Sequence, residues 1–291
     1  MSKLSERCML VSLSISNWSG MAIDAEVTAT TNEEHKASKD AGRYNKRLVA
    51  SKFFTGISGA HSKARATHRL LTLPWEDDGT RVLATTGYIN YQKLMRECKL
   101  KAESEVKLFL ADSAAYVREA QTRLGDMFNA DDYPDADTLK GKFAFDVEIK
   151  PLPEAGDFRA QLSNESTKAI IKDIERRTNE RLENAMADVF KRIQEMVQKM
   201  AERLREYTPS KDGQKAQGII RDSLVYNIHE LAEFLPTLNI TGDLRIDELR
   251  QQLLNELVEH SPEILRADAK VRAQTIAKAD KMLKKLKGYL G

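Results

Sequence analysis

Cysteine is nearly absent from this chain: Cys8 and Cys98 are the only two in 291 residues. Two isolated thiols make no disulfide framework, so the expected setting is a reducing cytoplasm. Long apolar runs are missing as well, and none approaches the roughly 18 residues of a membrane-spanning helix. No membrane partner is therefore expected. Lys3 and Arg7 ahead of Cys8 to Ile15 imitate a signal peptide, but Ser12 and Ser14 interrupt the run. No small-residue cleavage site follows in Asn17-Trp18-Ser19-Gly20, and the segment reads as a strand. A charge imbalance is also lacking, since 46 Lys and Arg face 44 Asp and Glu for a net charge of +2. Bulk charge thus selects no partner. Walker-type phosphate loops, dinucleotide fingerprints and nucleophile elbows do not occur, so no catalytic residue and no cofactor is expected.

What is present is periodicity. Met9, Val11, Leu13 and Ile15 alternate with serines, and Phe143, Phe145, Val147 and Ile149 alternate with charged residues. Period-two patterns predict two half-buried strands that pair with each other as a small ribbon, the second ended by Pro151 and Pro153. The rest reads as helix. Residues 32 to 70 predict two or three short helices interrupted at Gly42 and around Gly56 to Gly59. A long helix is expected from an Asn90 cap to Gly125, followed by an acidic loop from Asp126 to Lys142. A second long helix is expected from about Ser163 to Tyr207. Its apolar stripe includes Leu182, Met186, Val189, Ile193, Met196 and Met200 in steps of three and four, which is coiled-coil-like and makes these six the candidate interface residues. Three helices follow: Ile219 to Phe234 ending near Pro236, Asp243 to Glu259, and one opened by a Ser261-Pro262 cap. The predicted class is mainly α, with long antiparallel helices, a two-stranded ribbon and a helical C-terminal unit. The expected boundaries are 1–208 for the long-helix domain, 209–218 for a hinge and 219–291 for the C-terminal unit.

Candidate chemistry is sparse. His61 and His68, seven apart, share a helical face but cannot chelate one ion, and no third ligand is near, so no metal is expected. The acidic loop lacks calcium-loop spacing and reads as solvated. Gly56-Ile57-Ser58-Gly59 has the form of a nucleic-acid clamp loop, and equally of a helix–helix turn. Charge clustering carries more. Nine basic residues and one acid, Asp40, lie between Lys36 and Arg69, with Tyr44, Phe53 and Phe54 interleaved. Cations for phosphates and rings for bases are what a single-stranded nucleic-acid surface uses. The candidate set is Arg43, Tyr44, Lys46, Arg47, Lys52, Phe53, Lys63, Arg65 and Arg69. A solvated face explains the same charges, and so does pairing with the acidic loop. The tail from Arg266 to Lys287 is basic too. Trp18 and Trp75 read as core anchors or as interface hot spots, with core the expected place of each.

Several short motifs resemble a bacteriophage and prophage family catalogued as a domain of unknown function. They are Ser14-Ile15-Ser16-Asn17-Trp18-Ser19-Gly20, Gly42-Arg43-Tyr44-Asn45-Lys46, Thr72-Leu73-Pro74-Trp75, and Gly79-Thr80-Arg81-Val82-Leu83. Leu124-Gly125-Asp126-Met127-Phe128, Tyr133-Pro134 and Asp157-Phe158-Arg159 continue the series. The likeness covers roughly residues 8 to 200. Genes of that family often lie near a MoxR-like AAA+ ATPase, so the resemblance implies a phage-type protein of the bacterial host cytoplasm, linked to an AAA+ ATPase assembly. It implies no activity and no catalytic residues. Two functions stand as expectations: a non-catalytic protein acting through protein–protein contacts as a homo-oligomer, and a single-stranded nucleic-acid binder using residues 36 to 69.

Overall fold

The computed structural model of the chain describes residues 4–154, 164–210 and 217–290. It is mostly helical, with small antiparallel sheets. The strands are β1 (Cys8–Ser16), β2 (Met21–Asp24), β3 (Tyr44–Arg47), β4 (Leu73–Pro74), β5 (Arg81–Ala84) and β6 (Ala144–Pro151). The helices are α1 (Leu4–Arg7), α2 (Ala25–Glu34), α3 (Thr55–Leu71), α4 (Tyr88–Ala111), α5 (Ser113–Leu124), α6 (Ala136–Lys140) and α7 (Asn164–Glu206). Then come α8 (Ser223–Leu238), α9 (Leu244–Gln252), α10 (Pro262–Ala267) and α11 (Ala269–Leu290). Two compact units are formed: Met1–Ser12 with Arg69–Tyr91 and Ile149–Gly291, and Leu13–His68 with Gln92–Glu148. These divisions fall elsewhere than at the predicted hinge, whose residues 211–216 lie outside the described residues. So does the Asp157-Phe158-Arg159 motif.

The two predicted strands are neighbours, but in a four-stranded sheet of order β4-β5-β1-β6 rather than a ribbon. β5 pairs antiparallel with β1, Cys8 opposite Ala84 and Val11 opposite Arg81. Cys8, Leu10 and Val11 are all buried, so the start of β1 is covered on both faces. The two-stranded sheet is β2 with β3, from segments too short and too polar to display alternation.

In the first unit α7 organises the core. Its 43 residues span about 64 Å at 1.5 Å per residue. From Ala185 onward it buries Met186, Val189, Phe190, Ile193, Val197, Met200, Ala201 and Leu204, packed with residues of α8, α9 and α11. This stripe is wider than a coiled-coil seam, as a helix enclosed within one core requires. Residues 219–290 share that core rather than closing a core of their own.

α8 runs to Leu238, beyond the end expected at Pro236. Proline lacks the N–H that would bond the carbonyl of Ala232, one turn back. Arg250 Nε supplies the missing donor to Ala232 O at 3.0 Å. At the end of α3 the same solution recurs. Arg192 donates to the carbonyls of Leu70 (3.2 Å) and Thr72 (2.8 Å), and Arg81 to Thr72 O at 2.9 Å. Cations there also suit the negative end of the helix dipole. Ser261 caps α10, accepting from Ile264 N, with Pro262 in the first turn as expected. Trp75 is core in this unit.

The second unit is held by aromatic rings. Phe109 stacks on Tyr116 (5.0 Å between centroids) and on Phe54 (4.9 Å), with Trp18 and Phe143 against it at 6.3 and 5.8 Å. The single helix predicted from Asn90 is two, α4 and α5, separated at Asp112, and Asn90 lies inside α4. On an unbroken helix residues 109 and 116 would stand about 10 Å apart. The break accompanies their stacking. Gly20 must be glycine: it has φ +62°, and a Cβ there would fall 2.8 Å from the Phe54 ring.

Replacing Arg250 with Met strands the Ala232 carbonyl in the core, at an expected cost of about 1–3 kcal/mol. Made in a Pro236→Ala background, where residue 236 regains its N–H, the change costs clearly less. Urea unfolding of the four combinations measures the coupling, and equal costs in both backgrounds would refute the link.

Candidate nucleic-acid interface

The basic segment 36–69 spreads over the turns that follow α2, strand β3, a 3-10 turn at Ser51–Phe54 and helix α3. Gly56-Ile57-Ser58-Gly59 is neither clamp loop nor interhelical turn, because all four residues lie in the first turns of α3. Gly56 has a packing role. A Cβ there would stand 2.0 Å from Glu105 Oε2, so the carboxylate from α4 lies directly against the start of α3. Gly59 faces open space.

Two members of the candidate set are withdrawn by burial. Lys46 is 6% exposed, and its ammonium pairs with Asp132 at 2.8 Å and Asp24 at 3.2 Å. It also donates to Met127 O at 2.8 Å. All three donors are used. Asp24 in turn caps α2 by accepting from Val27 N. The knot thus ties the β2–β3 sheet to the segment read as a solvated acidic loop, in which Asp135 also caps α6. The Asp132 hydrogen bond, then that of Asp24, holds the Lys46 ammonium above its ordinary pKa against the cost of burial. The Val27 N–H, and then Lys46, hold the Asp24 carboxyl below its ordinary value. Phe53 is half-buried in the aromatic core, edge-on to Tyr116 at 6.0 Å, with Lys52 Nζ 5.1 Å from its ring centroid. It is not free to stack on a base.

The remainder stays outside. Arg43, Tyr44, Arg47, Lys52, Lys63, Arg65 and Arg69 are exposed. Among the described residues none of these six cations forms an ion pair, although Arg47 donates to Ser51 Oγ. α3 carries Lys63, Arg65 and Arg69 and no acid in 17 residues. Its buried face is Ile57, Ala60, His61, Ala64, Thr67 and His68. Its exposed face places Ser58, Gly59, Ser62 and Ala66 between the flanking cations. Sequence reasoning missed these small residues, for which a spacing of three and four is the available signal. His61 and His68, which share one face of α3, are interior, at 2% and 5% exposure. Among the described residues no group of three or more potential ligands is placed to hold a metal ion.

Half of the basic tail is spent, and Lys270, Lys281, Lys284 and Lys287 stay exposed. Arg266 bonds Ile220 O and pairs with Asp222, Arg272 bonds Leu265 O, and Lys278 and Lys285 pair with Glu259 and Glu248. The candidate interface residues are interior as well. Val189, Ile193 and Met200 are fully buried, Met186 is buried, and Leu182 and Met196 are packed on the same core. Their stripe is consumed within the chain by α8 and α11, so it offers no surface to a second copy. No described helix is long and apolar enough to cross a membrane. Comparison with protein-family models, curated proteins and solved structures finds no match for this chain.

Lys46→Ala leaves two carboxylates facing each other at the edge of the core, and the expected loss is about 1–3 kcal/mol of unfolding free energy. Asp24 contributes stability that is present above its ordinary value of 3.8 and fades as pH falls toward its lower folded one. The acid limb of Tm against pH should therefore be shallower in Asp24→Asn, and an unchanged limb would exclude Asp24 as its source.

Proposed function

We propose that this chain binds single-stranded nucleic acid, with the exposed face of α3 as the surface that meets the phosphate backbone. The observation that carries the reading is an acid-free, 17-residue helix whose outer face is small between Lys63, Arg65 and Arg69. Small side chains let a phosphate chain come close, and flanking cations then release condensed counterions. Arg43, Arg47 and Lys52, exposed and without ion pairs among the described residues, extend the charge toward the chain's N-terminal side. Tyr44, 41% exposed, is the candidate ring left outside for stacking. With Phe53 inside, recognition rests on charge more than on bases.

Anisotropy of labelled single strands across a salt series tests this. For every phosphate that Lys63→Ala or Arg65→Ala leaves without its cation, the logarithmic salt slope should fall by about 0.7. Tyr44→Ala should cost affinity at constant slope. Absence of binding at low salt, or indifference to the Lys63/Arg65 double change, excludes the reading.

A second reading keeps one observation. Along residues 165–181 of α7 no side chain is fully buried, while Ile170, Ile174 and Thr178 recur every fourth position. This stretch precedes the stripe consumed within the chain and is left over for self-association, or for the ATPase partner implied by the phage-family resemblance. Light scattering should report a dimer or larger species that Ile170→Glu with Ile174→Glu reduces to monomer. A monomer at every accessible concentration removes this reading and leaves the first intact.

A further inference from the structure

Within the second unit, α4 and the segment entering β6 enclose a cleft of about 570 Å³. Its walls are Val106 and Leu110 from α4, opposite Phe143 and Phe145. That volume lies in the range of small-molecule sites, about 300–1,000 Å³. His61, only 2% exposed, also lines it. The rim separates it from a packing defect: it carries Lys107 and Lys140 against the single acid Glu103, and no ion pair engages any of them among the described residues. The rim is therefore net positive over an apolar interior.

We propose that this cleft binds a small amphipathic carboxylate, a medium-chain fatty or aryl-alkyl acid. Its hydrocarbon lies on Val106, Leu110, Phe143 and Phe145, and its carboxylate lies at Lys107 and Lys140. The His61 side chain is compatible with that occupant. Burial, then the neighbouring Arg65 charge, lowers its pKa, so the wall presents a neutral imidazole to the chain rather than a cation. The inference is independent of nucleic-acid binding.

Isothermal titration of the full chain with dodecanoate, below its micellar concentration, provides the test. Dodecyltrimethylammonium serves as the probe of equal chain length and opposite charge. Saturable one-site binding of dodecanoate, at least about tenfold tighter than the cation, is expected. Ala144→Trp, at an exposed cleft position, should weaken it by about tenfold or more by filling the space. Lys107→Glu with Lys140→Glu, both at exposed positions, should erase or invert the preference between the two amphiphiles. Should the tryptophan variant fail to fold, the surface charge reversal carries the test alone. No saturable heat with dodecanoate, equal affinity for the two amphiphiles, or a preference untouched by the charge reversal overturns the proposal.

Discussion

A main-chain carbonyl withdrawn from water needs a donor, and at several places in this fold an arginine supplies it. Arg250 serves Ala232, Arg192 serves Leu70 and Thr72, and Arg81 joins it at Thr72. Arg272 serves Leu265 and Arg266 serves Ile220, while in the second unit Arg123 reaches Leu48. A guanidinium suits this work because it holds five donors in a rigid fork and is less strongly hydrated than an ammonium. Helix ends, a proline-containing turn and the start of a short strand could not enter the interior without it. At Arg81 the accumulation has an electrostatic consequence: burial, with Arg192 and Arg69 nearby, lowers its pKa to about 10.

That use of arginine changes what the charge composition means. Cations that look like a polyanion-binding reservoir in the sequence divide into those bonded to carbonyls, those paired with acids, and those left in solvent. Lys46 belongs to the interior group, a buried ammonium whose three donors are all committed. Some of the cations left in solvent lie on and just before α3, where neither α3 nor β3 carries an acid. The absence of acids beside unspent cations, rather than total charge, is what marks this face.

Much of this could be read from residues alone, and what could not shares a cause. Helix α7 is found within a residue of its expected ends because its apolar recurrence is long and local. The Ser261-Pro262 cap and the alternating strands β1 and β6 are local signals as well. β4 and β5 escape notice because two and four residues cannot establish a period. The acidic segment looks solvated because its partner, Lys46, lies far back in the chain. Phe53 looks available for stacking because its real neighbour, Tyr116, is remote in sequence. The continuation of α8 past Pro236 depends on one side chain from the next helix. Apart from β4 and β5, a non-local partner in each case supplies what the local pattern lacks. The cleft at His61 is of the same kind, since its walls come from three separated segments.

The division of the chain also sets an order of events during synthesis. Every residue of the second unit exists once Glu148 has been joined, whereas the first unit combines Met1–Ser12 with segments that end at Gly291. Domains generally fold as units as they leave the ribosome. The aromatic core around Phe109 can therefore close while the opening half of β1, with its buried Cys8, Leu10 and Val11, still waits for α7, α8 and α11. Until α11 has been made, that apolar stretch lacks the partners that bury it, and this period is when the nascent chain is most exposed to misassociation.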